Sequence, residues 1–183
     1  CRNKIMLASS FLLDLVNNVL DMNKLESGEV RLEQKPFLLS RLLKETSGVL
    51  DMQARECGIT LNIVNEAAEH DHLIGSPVHL GQVLQNIIGN AIKYNNDSGT
   101  VDVTCREISY DGNTAGLEFV CADTGIGMSR EYVEHIFEPF TQGYEDARTS
   151  YKGTGLGMAI CKRIMDYMQG TIEVKTNPGE GSE

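Results

Sequence analysis

The sequence predicts an α/β fold, a two-layer α/β sandwich in which a mixed sheet is backed by helices, preceded by an N-terminal helix. Two observations carry it. Segments whose apolar residues recur every three or four positions, at 3–25, 40–57, 77–94 and 155–168, are interleaved with segments whose apolar residues alternate singly, at 59–63, 101–108, 116–122 and 171–175. With 183 residues, 41% of them apolar, the chain is long enough for one core-forming domain plus an appendage.

The elements follow in order. Ile5, Leu12, Leu15, Val19 and Met22, flanked by Met6, Phe11, Val16 and Leu20, form a stripe too wide for a lone surface helix, so residues 3–25 call for a partner helix, either from a segment missing from this sequence or from a second copy of the chain. Glu26-Ser-Gly-Glu29 reads as a hinge, and Val30 to Phe37 as an edge strand ended by Pro36. Ser40 can cap a helix that runs to about Cys57 and stops at Gly58. Ile59, Leu61 and Ile63 alternate as a strand. Ser76-Pro77 pairs a capping hydroxyl with a proline suited to the first helical turn, opening a helix to about Tyr94. Two strands, 101–108 and 116–122, join through Asp111-Gly112-Asn113 as a hairpin, and Asp123 falls where the second ends. A short helix at 130–136 leads into a polar, glycine-containing stretch read as a mobile lid over 137–154. A last helix, from about Gly155 to Met168, stops at Gly170 and hands over to a strand at Thr171–Lys175.

Charge and cysteine usage exclude several classes. Lys and Arg total 16 against 26 Asp and Glu, a net charge of −10, which disfavours nonspecific binding to nucleic acid or anionic lipid. Five scattered cysteines, none in Cys-x-x-Cys spacing, read as reduced thiols of the cytoplasm rather than as disulfides or zinc ligands. No apolar run approaches the roughly 20 residues of a membrane span.

The chemistry concentrates in four segments. In Asn86-Ile-Ile-Gly-Asn90-Ala-Ile-Lys93-Tyr94, the two asparagines lie four apart and share a helix face. The carboxamide of Asn90 can ligate a Mg2+ that already carries triphosphate oxygens without adding negative charge, and Asn86 is a second candidate ligand. Lys93 can neutralise phosphate, and Tyr94 offers a ring to a sugar or base edge. Asp123-Thr-Gly-Ile-Gly-Met128 places a carboxylate able to accept from an exocyclic amine, with Gly125 and Gly127 letting backbone approach a purine. Gly153, Thr154, Gly155, Leu156 and Gly157 lead into a helix, so their amides can face phosphate at the positive end of the dipole, with Leu156 and Met158 packing beneath. Between these lies Phe137-Glu-Pro-Phe140, whose rings suit either core or lid. His70 and His72 sit in a short loop without further spaced ligands and read as surface residues, as does His79.

In order and spacing, these segments resemble the N, G1, F and G2 boxes of the sensor histidine kinase ATP-binding domain, within the superfamily that also holds gyrase, mismatch-repair and heat-shock chaperone ATPases. The resemblance covers about Gly75 to Gly181. It implies the Bergerat ATP-binding fold, ATP and Mg2+ as ligands, adenine selection by Asp123, and Phe137 and Phe140 anchoring a lid that contains Gln142, Arg148 and Lys152. It makes Asn86, Asn90 and Lys93 the catalytic residues. Residues 1–28 resemble the second helix of the family's dimerisation hairpin, with 29–183 as the catalytic domain, ending where the family adds another strand. Serine at 76 and histidine at 79 depart from the frequent aspartate and arginine; serine preserves a cap, while the arginine's cationic contact is lost.

The implied activity is transfer of the ATP γ-phosphate to an acceptor histidine. None of His70, His72, His79 and His135 stands in the family's acceptor run, so the acceptor lies on a helix outside this sequence. Implied partners are that helix, the receiver domain of a response regulator, and a second copy in a full-length homodimer, with the parent free to carry a membrane anchor. Two other readings compete. An ATP-hydrolysing machine of the superfamily would place a glutamate where Asn86 stands, and asparagine is a poor general base. A degenerate interaction module would not need Asn90, Asp123 and three loop glycines.

Overall fold

The computed structural model describes residues 2–26, 32–67, 69–142 and 153–183. Internal contacts divide the chain into two compact units, Leu32–Val133 with Glu173–Glu183, and Cys1–Arg31 with Glu134–Ile172. The elements are α1 (Arg2–Glu26), β1 (Lys35–Leu38), α2 (Leu39–Glu56), β2 (Thr60–Asn65), β3 (His72–Gly75), α3 (Pro77–Lys93), β4 (Thr100–Tyr110), β5 (Ala115–Asp123), α4 (Arg130–His135) and α5 (Gly157–Tyr167). Among the described residues, no helix is long and apolar enough to cross a membrane.

The larger unit is the two-layer α/β sandwich. Its sheet runs β2-β4-β5 and is mixed: β2 is parallel to β4, with Thr60 opposite Thr100, and β4 is antiparallel to β5, with Val101 opposite Asp123. Strand alternation sends Val101, Val103 and Cys105 to one face, where they are buried against Leu39, Leu43, Leu50 and Ala54 of α2 and Leu84, Ile88, Ala91 and Ile92 of α3. Each of the Leu, Ile and Val side chains among them contributes about 1.5–3 kcal/mol by leaving water. The opposite face is polar, with Asn62 donating to Asp102 (2.7 Å) and Arg106 paired with Glu118 across the strands (2.8 Å). One helical layer therefore suffices.

Several expectations are corrected in detail. The first strand begins at Lys35, and Pro36 sits inside it; Val30 and the hinge residues 27–29 lie outside the described residues. Its partner is β3, read from sequence as part of a loop, in a separate two-stranded antiparallel sheet with Phe37 opposite Leu73. Ser40 does not cap α2, because the helix already starts at Leu39 and places that hydroxyl inside the first turn. Asp71 does so from across the fold: Leu39 N–H donates to its carbonyl (2.9 Å), Ser40 N–H to Oδ1 (2.6 Å) and Ser40 Oγ to Oδ2 (2.7 Å). These bonds hold the Asp71 carboxyl below the ordinary range. The C-terminus is as expected, with Gly58 at φ +70 and paired bonds from Gly58 and Ile59 N–H to the carbonyls of Arg55 and Ala54. Ser76 occupies the N-cap position of α3, followed by Pro77, yet its hydroxyl pairs with His79 Nδ1 (2.6 Å) instead of capping.

The expected strand at Thr171–Lys175 is not formed. The alternating pattern there describes a face but supplies no ladder. Pairing is confined to bridges of Ser182 with Thr176 and Asp123, and to Lys175 and Glu183 exchanging backbone bonds at 2.8 and 2.7 Å.

In the smaller unit, α1 packs on α5. Met22 and Leu25 are buried, and Tyr167 Oη donates to the Leu25 carbonyl (2.8 Å). Near its C-terminal end α1 is thus covered by α5 of the same chain, a partner not expected from the sequence, while Leu12, Leu13, Val16 and Leu20 remain exposed. The left-handed residue that ends α5 is Gln169, at φ +57, with Gly170 N–H returning to the Met165 carbonyl (2.9 Å).

Candidate nucleotide site

In the larger unit, helical periodicity turns Ile88, Ala91 and Ile92 into the core and leaves Asn86 and Asn90 half-buried on a shared face. Lys93 follows in the last turn, its Nζ 4.9 Å from the centroid of the Tyr94 ring, within cation–π range. Tyr94 is the C-cap residue and partly exposed, and its carbonyl accepts the Ile126 N–H (3.1 Å). That bond draws the end of α3 to the turn after β5.

Asp123 closes β5 with its backbone engaged by Ser182: Asp123 N–H donates to the Ser182 carbonyl (2.8 Å) and Ser182 N–H returns (3.3 Å). Its carboxylate is half-buried, with Oδ1 accepting the Gly125 N–H (2.7 Å). Burial pushes the carboxyl upward from its ordinary value, opposed by bonds from the Gly125 and Ser182 amides. The same burial, reinforced by Asp123 and Asp102, drives the neighbouring Cys121 thiol up to about 12. A methyl at Gly127, which has φ +62, would overlap the Asn177 carbonyl, and one at Gly125 would press on the Tyr94 carbonyl. Both positions need glycine for packing and close approach alone.

In the smaller unit, Gly155 adopts φ +71, so α5 begins at Gly157 and not at Gly155. Phe140, also left-handed at φ 64, donates its N–H to the Gly155 carbonyl (2.9 Å), and a Cβ on Gly155 would strike Phe140 and Thr141. The F and G2 segments are thereby locked back to back. Gln142 Nε2 donates to the Gly153 carbonyl (2.8 Å), while Arg148 and Lys152, the other expected lid contacts, lie outside the described residues, as does most of the lid stretch. Leu156 is fully buried beneath the loop as expected; Phe137 is half-buried, and Phe140 is 65% exposed, which removes it from the core. Thr154 Oγ1 accepts from Leu156 N–H (3.3 Å) and from Asn18 Nδ2 of α1 (3.2 Å).

Sequence reasoning missed a set of polar residues around the Asp123 turn: Asn95, Asn96, Thr124, Thr176 and Ser182. Asn95 Nδ2 donates to the Thr100 carbonyl (2.9 Å), Thr124 Oγ1 to Asn95 Oδ1 (3.2 Å), Asn96 Nδ2 to the Thr124 carbonyl (2.7 Å), and Met128 N–H to Thr176 Oγ1 (3.0 Å). The available signal was the Asn-Asn pair directly after a helix end, a place where asparagine side chains take over backbone bonds. His70 is engaged structurally, with Nδ1 2.8 Å from Glu107 Oε2 and its ring stacked on Tyr110.

Residues 75–183 match the family described as histidine kinase-, DNA gyrase B-, and HSP90-like ATPase. The chain belongs to this family, as an ATP-binding catalytic domain of the histidine kinase kind. Over 180 residues it is 32% identical to the signal transduction histidine-protein kinase BarA of Escherichia coli (strain K12), a match covering 98% of this chain and 20% of BarA. The chain thus spans about a fifth of that relative's length. Among solved structures, full-length ShkA in complex with AMPPNP superposes with TM-score 0.78 at 31% identity, covering 93% of this chain and 34% of ShkA. The histidine kinase ThkA in complex with the response regulator protein TrrA shares the fold with TM-score 0.68 at 23% identity, over 98% of this chain and 47% of ThkA.

Proposed function

We propose that this chain binds ATP with Mg2+ and transfers the γ-phosphate to an acceptor histidine other than its own four, as the catalytic part of a two-component sensor histidine kinase. Residues 29–183 form the catalytic domain and 1–28 the second helix of a dimerisation hairpin. The observation that carries the reading is the Asp123 turn: a half-buried carboxylate at a strand end, followed by two positions, 125 and 127, where only glycine fits.

Asp123 accepts from the adenine amine, with Gly125 and Gly127 admitting the ring. Tyr94 borders the sugar or base edge, and Lys93 neutralises phosphate. Gly153, Thr154, Gly155, Leu156 and Gly157 offer backbone amides to the phosphates, with Phe137 and Phe140 supporting the lid. The donor set of α3 fits Mg2+: two neutral carboxamides one turn apart, able to join phosphate oxygens without excess negative charge. Asn90, with Asn86 beside it, would hold that ion, which would supply charge neutralisation for the phosphates. The protein's contribution is positioning for in-line attack.

The acceptor helix, the receiver domain of a response regulator and a second protomer are the partners, and the reaction belongs to the cytoplasm. Support comes from the similarity to BarA along nearly the whole chain and from the nucleotide analogue in the ShkA complex. Titration calorimetry of the chain with ATP and Mg2+ tests the binding step: saturable binding at one site per chain is expected, weakened by Asn90→Ala. No heat of binding at millimolar ATP would reject the reading.

A further inference from the structure

We infer that Asn95, Asn96 and Thr124 form a polar clasp that sets the position of the Asp123 carboxylate, and so act as positioning residues for purine selectivity. This rests on the reading of Asp123 as the adenine acceptor. It adds residues that are not themselves expected to touch nucleotide.

The clasp lies where the ladder between β4 and β5 stops. The ladder ends at Val101 opposite Asp123, and continuing its register would set Thr100 against Thr124. Thr124 N–H donates to the Thr100 carbonyl (3.2 Å), as a continuing antiparallel ladder requires. The reciprocal bond is replaced: Thr100 N–H goes to the Thr124 side-chain Oγ1 (2.9 Å) instead of to its carbonyl. The freed Thr124 carbonyl accepts Asn96 Nδ2 at 2.7 Å. The Thr124 hydroxyl hydrogen goes to Asn95 Oδ1 (3.2 Å), while Asn95 Nδ2 holds the Thr100 carbonyl (2.9 Å). A hydroxyl thus stands in for a carbonyl, which lets the chain leave the sheet one residue after Asp123 without orphaning a backbone group.

The consequence is directional. Asn95 and Asn96 continue directly from Tyr94, the end of the helix that carries Asn86, Asn90 and Lys93. Through Thr124, and through Ile126 N–H on the Tyr94 carbonyl (3.1 Å), that helix end is tied to both sides of Gly125, whose own N–H holds Asp123 Oδ1. The fit around Gly99 is equally tight, since a methyl there would meet Asn95 Oδ1 and Thr124 Oγ1. The carboxylate and the asparagine face therefore share one frame, and loosening the clasp lets Asp123 drift relative to α3. A hydrogen bond to a drifting acceptor weakens steeply with distance and angle. The adenine-specific part of affinity falls first, because phosphate contacts do not depend on Asp123.

The test uses the full 183-residue chain and compares ATP, GTP and inorganic tripolyphosphate, each with Mg2+, by calorimetry. Thr124→Val keeps the shape but removes the hydroxyl, Thr124→Ser restores it, and Asn95→Ala removes the other half of the pair. The expected result is a loss of about three- to tenfold in the ATP-over-GTP preference for Thr124→Val and Asn95→Ala, equivalent to roughly 0.7–1.4 kcal/mol. Tripolyphosphate affinity should be unchanged, and Thr124→Ser should stay within about twofold of the parent. Faster hydrogen exchange of the Ile126 amide in the two deficient variants would accompany the loss. An unchanged preference in Thr124→Val, or an equal loss for all three ligands, overturns the positioning role. If the parent chain binds tripolyphosphate but shows no preference for ATP over GTP, the Asp123 reading fails first and the clasp proposal falls with it.

Discussion

Replacing Asp123 by asparagine separates the cost of the buried carboxylate from its use. The side chain is half-buried, and burial raises its pKa even though the Gly125 and Ser182 amides pull the other way. A carboxyl with a folded pKa above its unfolded value near about 3.9 binds protons more tightly when folded, so stability is greatest below the unfolded pKa and falls as pH rises through the folded one. At neutral pH the ionised group therefore works against the fold. Asparagine retains an oxygen for the Gly125 N–H without the charge, so Asp123→Asn should melt no lower than the parent at pH 7, and its relative advantage should shrink on acidification. Binding should move the opposite way. A hydrogen bond to a charged acceptor is worth about 1.5–3 kcal/mol, so ATP affinity should drop about tenfold to somewhat over a hundredfold. Calorimetry with ATP and thermal melts at pH 7 and pH 4 give both readings. Unchanged ATP affinity refutes the assignment of Asp123 to adenine, and a large loss of melting temperature at pH 7 refutes the claim that its charge opposes folding.

Four further outcomes follow from named contacts. Asp71→Ala removes the cap of α2 and should cost about 1 kcal/mol by denaturant unfolding; the Asp71 pKa is lowered, so this contribution is present above about pH 4 and lost as pH falls through the folded value. Gly127→Ala, at φ +62 against the Asn177 carbonyl, should destabilise by about 1–3 kcal/mol, and a neutral effect would contradict the packing of this turn. Among the four described cysteines, Cys57 is exposed while burial drives Cys105 up to about 11 and Cys121 up to about 12; alkylation at pH 8 followed by peptide mapping should label Cys57 well before either. Asn90→Ala should remove the Mg2+-dependent part of ATP affinity, leaving a weaker, Mg2+-insensitive remainder, and equal Mg2+ dependence in parent and variant would exclude this residue from the ion site.

How much of this was legible in sequence depended on how local the determining forces are. Helix α3 was readable because Pro77 fixes its first turn locally, and the β4–β5 hairpin was readable because Asp111 Oδ1 takes both the Asn113 and Thr114 amides at its tip. The short strand β3 was not, since His72-Leu-Ile-Gly75 has too few residues to show a period and its partner β1 lies more than thirty positions upstream. The same distance hid Asp71 as the cap of α2, and Ser40 attracted the role only by adjacency. Thr171–Lys175 shows the reverse failure: alternation was present, but a strand needs a neighbour, and only bridges near Ser182 are made. The site divides likewise. Asn86, Asn90, Asp123 and the glycines were visible as residue types at fixed spacings, whereas the clasp of Asn95, Asn96 and Thr124 depends on bonds between segments 24 to 29 residues apart.

Whether this nucleotide-binding domain hands phosphate to a histidine other than its own is tested directly by γ-labelled ATP followed by acid treatment. With Mg2+, the 183-residue chain alone should bind the label but retain none in acid-labile form on His70, His72, His79 or His135. A protein extended upstream of Cys1 by a histidine-bearing helix should acquire acid-labile phosphohistidine, and should lose it on Asn90→Ala. Acid-labile phosphate mapped to any of the four histidines of this chain, or none in the extended protein despite ATP binding, would contradict the account.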